Sequence, residues 1–189
     1  MSNIVTIVSG LPRSGTSMMM KMLEAGGMDV VVDNVRAADE DNPKGYYEFE
    51  KVKTITSDAS WLDDAQGKVF KMVSMLLKQL PLDKDYKVIF MKRKMEEILA
   101  SQRQMLIRQG KSDDQVSDKD FGRLFEKHLQ EIEKWLATQS NFDILYINYN
   151  HAIEHPLQNV NAVNQFLGNI LNIEKMLEVV DKALYRQKK

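Results

Sequence analysis

Residues 7–23, with the sequence IVSGLPRSGTSMMMKML, have the residue types and spacing of a phosphate-binding loop. Gly10 and Gly15 are separated by four residues, and Ser17 stands where nucleoside-triphosphate loops carry a magnesium ligand. Those loops also carry a lysine directly before the hydroxyl residue, and this chain has a threonine there. The cationic residue of this chain is instead Arg13, which lies inside the loop. Other residues must therefore indicate which anion the loop holds.

A strand, a glycine loop and a helix start in succession form an anion site for physical reasons. Backbone N–H groups converge in the loop, and the helix N-terminus adds about half a positive charge. The two glycines let the backbone approach the oxygens of the anion closely. Thr16 and Ser17 offer hydroxyl donors at the helix start, and Arg13 adds a full charge.

The hydrophobic pattern predicts alternating strands and helices around this loop. Strands are predicted at 3–9, 28–32, 68–73, 86–93 and 142–149. Helices are predicted from the loop to Gly26-Gly27 and at about 48–57, 95–109, 118–139, 156–167 and 173–187, with a capping box at Ser117 and Asp120. This alternation is typical of a three-layer α/β/α fold, like that of P-loop NTPases, with a mostly parallel five-stranded sheet. No linker divides the chain, so we expect one domain over residues 1–189.

The composition argues against several functions. A formal charge of −1 over 189 residues gives no basis for binding nucleic acid or a membrane surface. No apolar run approaches the ~18–20 residues of a membrane span, and we interpret the first residues as a strand, not a signal peptide. The absence of cysteine excludes disulfides and is compatible with a reducing cytosol, so we expect a cytoplasmic protein. His151 and His155 are four residues apart, but no third metal ligand stands out.

The loop sequence LPRSGTS resembles the 5′-phosphosulfate loop of sulfotransferases, which use 3′-phosphoadenosine 5′-phosphosulfate (PAPS) as co-substrate. That family carries a Pro-(Lys/Arg)-Ser-Gly-Thr core in its first strand-to-helix turn. This chain matches the core at Pro12, Arg13, Ser14, Gly15 and Thr16. The resemblance implies that these residues, together with the following serine, bind the 5′ end of PAPS.

The resemblance includes a second anchor, which binds the 3′-phosphate of PAPS in the family. It consists of an arginine at the end of a central strand and a serine eight residues later on the next helix. Here the predicted strand 86–93 ends at Arg93, and Ser101 follows eight residues later. Arginine's planar fork suits a phosphate, and the serine adds a donor.

Two weaker similarities extend the resemblance over the whole chain. Residues 147–168 resemble the family's Tyr-Glu-Asp-Leu segment and the helix after it. Residues 42–48, NPKGYYE, resemble a segment of bacterial members. Only the loop and the 3′-phosphate pair are specific.

The resemblance implies in-line attack of an acceptor oxygen or nitrogen on sulfur, with adenosine 3′,5′-bisphosphate as the leaving group. Charge then builds on the leaving phosphate oxygen, and positioned cations stabilise it without a required metal. Arg13 is one such cation. Lys71 stands where the cytosolic small-molecule branch has a second.

The general base is less well defined by the resemblance. The cytosolic branch has a histidine two residues after the lysine, and this chain has Val73 there. Carbohydrate and tyrosine sulfotransferases use a glutamate, for which Glu48 is the candidate, with Glu50 and Asp39 behind it. A Lys-Gly segment that closes over the nucleotide is not found at the C-terminus, and the polar segment 108–118 is the candidate lid.

Two other functions stay open from the sequence. A small P-loop kinase or nucleotide hydrolase would need an aspartate after a strand, and Asp33 is placed for that. A module that binds PAPS or its product without transfer would explain the missing histidine. The acceptor, a small molecule or a carbohydrate, is not specified, and the amphipathic helix at 118–139 leaves a homodimer open.

Overall fold

The computed structural model describes residues 4–33, 45–108, 110 and 117–180. Four β-strands are formed there: β1 (Ile4–Gly10), β2 (Val69–Val73), β3 (Asp85–Lys92) and β4 (Phe142–Asn148). The α-helices are α1 (Thr16–Ala25), α2 (Met95–Arg108), α3 (Asp118–Leu136), α4 (Tyr149–Glu154), α5 (Pro156–Phe166) and α6 (Ile173–Glu178). Short 3-10 helices occupy Glu50–Thr54, Ser60–Leu62 and Ser74–Gln79.

The strands form one parallel sheet in the order β2-β1-β3-β4. The predicted α/β fold with a parallel sheet is confirmed, but the sheet has four strands in the described residues and not five. The predicted strand at 28–32 makes a single parallel bridge, between Val30 and Val69. Its backbone then turns away from β2, since the amide of Asp33 donates to the carbonyl of Glu48 at 3.2 Å.

The sheet is covered on both faces, which explains why its central strand is apolar without alternation. On one face Val8 of β1 packs with residues of α1, α4, α5 and α6. On the other face Val5 and Ile7 pack with α3 and the 3-10 helices. All three β1 residues have no exposed surface. The three layers expected from the sequence are therefore present.

The helices differ from the sequence prediction mainly in length. The helix predicted at 48–57 is the 3-10 helix Glu50–Thr54, and the predicted end of the last helix, beyond residue 180, lies outside the described residues. Helix α4 was not predicted: the side chain of Asn148 accepts from the amide of His151 at 3.0 Å and so starts a helix directly after β4. The predicted cap of α3 is confirmed, because Ser117 Oγ accepts from the Asp120 amide at 3.2 Å.

The described residues contain no helix that is both long enough and apolar enough to cross a membrane.

Candidate anion site

The glycine loop, Gly10–Gly15, joins β1 to α1 through a tight turn. The amide of Ser14 donates to the carbonyl of Leu11 at 3.2 Å, and the Ser14 hydroxyl donates to the same carbonyl at 2.7 Å. Ser14 is fully buried, so its side chain shapes the turn. Pro12 occupies the second position of the turn, where proline is favoured. Arg13 follows with a φ of 67°, a left-handed conformation that is uncommon for a residue with a side chain.

Both ends of the loop require glycine. A Cβ on Gly10 would lie 2.6 Å from the carbonyl oxygen of Met91, and a Cβ on Gly15 would lie 2.3 Å from Cδ2 of Tyr149. Gly15 also has a φ of 99°. The loop is therefore held close to β3 and to the start of α4, and Thr16 begins α1 directly after it.

Arg13 and Ser101, predicted from two separate anchors, contact each other. Arg13 Nε donates to Ser101 Oγ at 2.8 Å, and Ser101 is buried. The sheet explains this contact, because the loop follows β1 while α2 follows the neighbouring strand β3. Gly10 and Met91, near the carboxyl ends of those strands, are register partners. The two predicted anchors are thus in direct contact.

Arg93 lies beneath the loop in a network of four other groups. Its Nε donates to Oε2 of Glu97 at 2.8 Å, and its Nη1 donates to the carbonyl of Arg13 at 3.1 Å. Its guanidinium lies 4.4 Å from the centre of the Tyr149 ring. Asn150 Nδ2 donates to the other oxygen of Glu97 at 2.7 Å. Glu97, Tyr149 and Asn150 were not predicted from the sequence, although the four-residue spacing of Arg93 and Glu97 was a signal for an ion pair.

Lys71 reaches the site from β2. Its Nζ donates to Ser17 Oγ at 3.4 Å and to the carbonyl of Tyr46, and Ser17 Oγ also donates to that carbonyl, at 3.2 Å. The amino group of Lys71 therefore lies at the first turn of α1, next to the hydroxyl of Ser17.

Glu48, the predicted base, lies in the half-buried segment that follows Tyr46. Its carbonyl accepts from the Asp33 amide. Asp33, the residue that supported a kinase, accepts from the amide of Glu50 at 2.5 Å through its carboxylate. Asp39, residues 42–44 of the bacterial segment, and most of the predicted lid at 108–118 lie outside the described residues.

A serine–histidine contact that the sequence did not predict lies at the carboxyl end of β2. Val73 is the register partner of Gly10, and the next residue, Ser74, lies with its Oγ 2.9 Å from His128 Nε2 of α3. Burial and the charge of Lys78 lower the pKa of His128. The described residues show no group of three or more potential metal ligands.

Tyr149 forms an apolar wall between the loop and Arg93. Burial raises the pKa of its phenol, Arg93 and Arg13 act against that shift, and Glu97 adds to it. The ring therefore stays neutral and stacks on the guanidinium of Arg93 as a cation–π partner.

A parallel α/β sheet with a glycine loop after its first strand is typical of nucleotide- and phosphate-binding proteins. Comparison with protein families narrows this class, because the model of the family described as "Sulfotransferase domain" matches residues 4–189. The chain therefore belongs to the sulfotransferase domain family. A comparison with curated protein sequences gave no significant match.

Two solved structures are similar in fold. The sulfotransferase domain from the curacin biosynthetic pathway has a TM-score of 0.55 and 15% identity, over 94% of this chain and 77% of that one. Retinol dehydratase, solved in complex with androsterone and the inactive cofactor PAP, has a TM-score of 0.54 and 16% identity, over 94% of this chain. This chain spans 63% of that structure's length. At these identities the likeness concerns the fold.

Proposed function

We propose that the protein transfers a sulfuryl group from PAPS to a hydroxyl or amine of a small-molecule or carbohydrate acceptor. The observation that carries the proposal is the 2.8 Å contact between Arg13 and Ser101, which joins the loop to the 3′-phosphate anchor. A donor with phosphate at both its 5′ and 3′ positions needs two anchors within one molecule's reach. A nucleoside triphosphate carries phosphate only at its 5′ position and has no group for a 3′-phosphate anchor.

The 5′-phosphosulfate is bound by the loop amides, the N-terminus of α1 and the side chains of Arg13, Thr16 and Ser17. Backbone donors and a helix N-terminus favour an anion at this position. The 3′-phosphate is bound at Ser101 and Arg93. Serine supplies a hydroxyl donor there, and arginine supplies charge and a fork of N–H groups.

In the transfer step the acceptor oxygen or nitrogen forms a bond to sulfur while the bond from sulfur to the 5′-phosphate oxygen breaks. The leaving group is adenosine 3′,5′-bisphosphate, and the acceptor proton passes to Glu48. Arg13 and Lys71 stabilise the charge that builds on the leaving oxygen, an electrostatic effect that needs no metal ion. We include in this proposal a single domain over residues 1–189 that acts in the cytoplasm without nucleic acid.

The test is the formation of adenosine 3′,5′-bisphosphate from PAPS with a panel of alcohols, phenols, sugars and amines. We expect acceptor-dependent product, insensitive to EDTA. Glu48→Gln should lower kcat by about 100-fold, in the range of general-base effects, whereas a loss of that size in Glu50→Gln instead would assign the base to Glu50. Unchanged turnover in Glu48→Gln would remove Glu48 from the mechanism. Donor binding without product for any acceptor would support the non-catalytic module.

A further inference from the structure

Glu97 is a buried carboxylate next to a site that binds anions, and this position needs a physical reason. Its side chain has no exposed surface, and that of Arg93 is 8% exposed. A buried charge is tolerated only when it is paired and its oxygens are hydrogen-bonded. Both oxygens of Glu97 meet this condition, one through Arg93 and the other through Asn150.

Electrostatics alone would disfavour this carboxylate. A negative charge near a bound phosphate weakens the attraction between the phosphate and the surrounding cations. If Arg93 only supplied charge, a variant with a neutral residue at position 97 would bind the donor more tightly than the wild type does. The benefit of Glu97 must therefore lie in geometry.

The geometry is a chain of contacts that ends in the glycine loop. Glu97 holds Nε of Arg93, and Arg93 Nη1 holds the carbonyl of Arg13. Arg13 has the left-handed φ of 67°, a conformation that persists only where surrounding groups over-determine it. Tyr149 restrains the face of the same guanidinium. The orientation of Arg93 thus depends on α2, and the loop conformation depends on Arg93.

We propose that Glu97, held by Asn150, is a positioning residue for the donor site. It orients Arg93, and through the Arg13 carbonyl it maintains the loop in the shape that receives the donor. This inference rests on the proposed function only for the identity of the ligand. The effect on loop shape does not depend on which anion binds.

The test is titration calorimetry of adenosine 3′,5′-bisphosphate with the full chain, comparing Glu97→Gln with the wild type. Positioning predicts a Kd at least 10-fold higher in Glu97→Gln, although the site gains positive charge. The matched control is Glu96→Gln, an adjacent and exposed glutamate of α2, for which we expect a change below twofold. Asn150→Ala is the milder second variant, because Glu97 and Arg93 remain, and it should raise Kd by about threefold or more.

A second readout is hydrogen exchange at the Ser14 amide, which donates to Leu11 within the loop. Exchange in Glu97→Gln and Asn150→Ala should be faster than in Glu96→Gln, measured without ligand. An unchanged or lower Kd in a folded Glu97→Gln, or unchanged Ser14 exchange, would overturn the inference. If the wild type binds no bisphosphate, the proposed function fails. The Ser14 exchange rates alone then decide whether Glu97 maintains the conformation of the loop.

Discussion

Arg13 combines three properties in one residue of the loop. It carries the cation that nucleoside-triphosphate loops place before their hydroxyl residue, it adopts a left-handed backbone, and it donates to Ser101. A lysine cannot reproduce the last contact in the same way, because the Nε–H and the two terminal amino groups of arginine form a planar fork. Because the guanidinium is planar, the Nε contact with Ser101 also fixes the orientation of its other N–H groups.

Lys71 supplies the second cation, and we predict that it acts on rate more than on donor affinity. Its Nζ contacts Ser17 at the start of α1. If Lys71 stabilises charge that develops in the transition state, Lys71→Met should lower kcat by about 100-fold, the usual size of such an effect. Donor Kd should change by less than about 10-fold.

The matched control for this prediction is Lys68→Met. Lys68 precedes β2 at the opposite end of the strand, so it should leave both parameters unchanged. Steady-state kinetics at saturating acceptor would separate kcat from donor KM. A wild-type kcat in Lys71→Met would show that Lys71 has no role in the transfer step.

The sequence named Arg13, Ser101 and Arg93 as candidates but not the groups that surround Arg93. The three candidates could be named because a loop motif and a spacing are local properties of the chain. Glu97, Tyr149 and Asn150 come from α2 and α4, and only the packing of those helices brings them to Arg93. The Ser14 hydroxyl, which the resemblance assigns to cofactor binding, donates to the Leu11 carbonyl within the turn, a contact that only the folded loop shows.

At the scale of elements, the loop depends on the packing of α4 against it. Gly15 has a φ of 99°, and the ring of Tyr149 occupies the space that a Cβ at Gly15 would need. Gly27 has the same φ of 99°, but nothing lies within 4 Å of a Cβ built there. Alanine substitutions at the two glycines would therefore measure backbone strain alone at Gly27, and strain together with steric overlap at Gly15.

We predict that Gly15→Ala destabilises the protein more than Gly27→Ala. Backbone strain alone should lower the free energy of unfolding by about 1–2 kcal/mol in Gly27→Ala. In Gly15→Ala, overlap with Tyr149 should add about 1–3 kcal/mol. Urea denaturation of both variants would measure the difference, and equal losses would mean that Tyr149 does not support the loop.

The four strands of the sheet were predicted within one residue of their observed bounds, and the strand prediction failed only for the segment beside β2. The apolar runs of β1 and β3 identify them as central strands. The run at 28–32 is equally apolar, but its backbone pairs with β2 at only one position before Asp33 bonds to Glu48. Apolar composition cannot distinguish a strand from a half-buried segment beside the sheet, because the difference lies in the backbone pairing.

At the scale of the whole molecule, the parallel order of the sheet creates the site. β2, β1 and β3 are neighbours, so their carboxyl ends bring Lys71, the loop and Arg93 to one edge. Functional residues in parallel sheets gather at this edge for the same reason. The fold therefore brings residues from three neighbouring strands together at the proposed donor site.

The most direct measurement compares the affinities of adenosine 3′,5′-bisphosphate and adenosine 5′-monophosphate for the wild-type chain. The two ligands differ only in the 3′-phosphate. A charged hydrogen-bond partner contributes about 1.5–3 kcal/mol, so the bisphosphate should bind at least about 10-fold more tightly, with or without magnesium. Ser101→Ala should reduce this preference. Equal affinities for the two ligands, or tighter binding of ATP with magnesium, would contradict a PAPS site at the loop and Arg93.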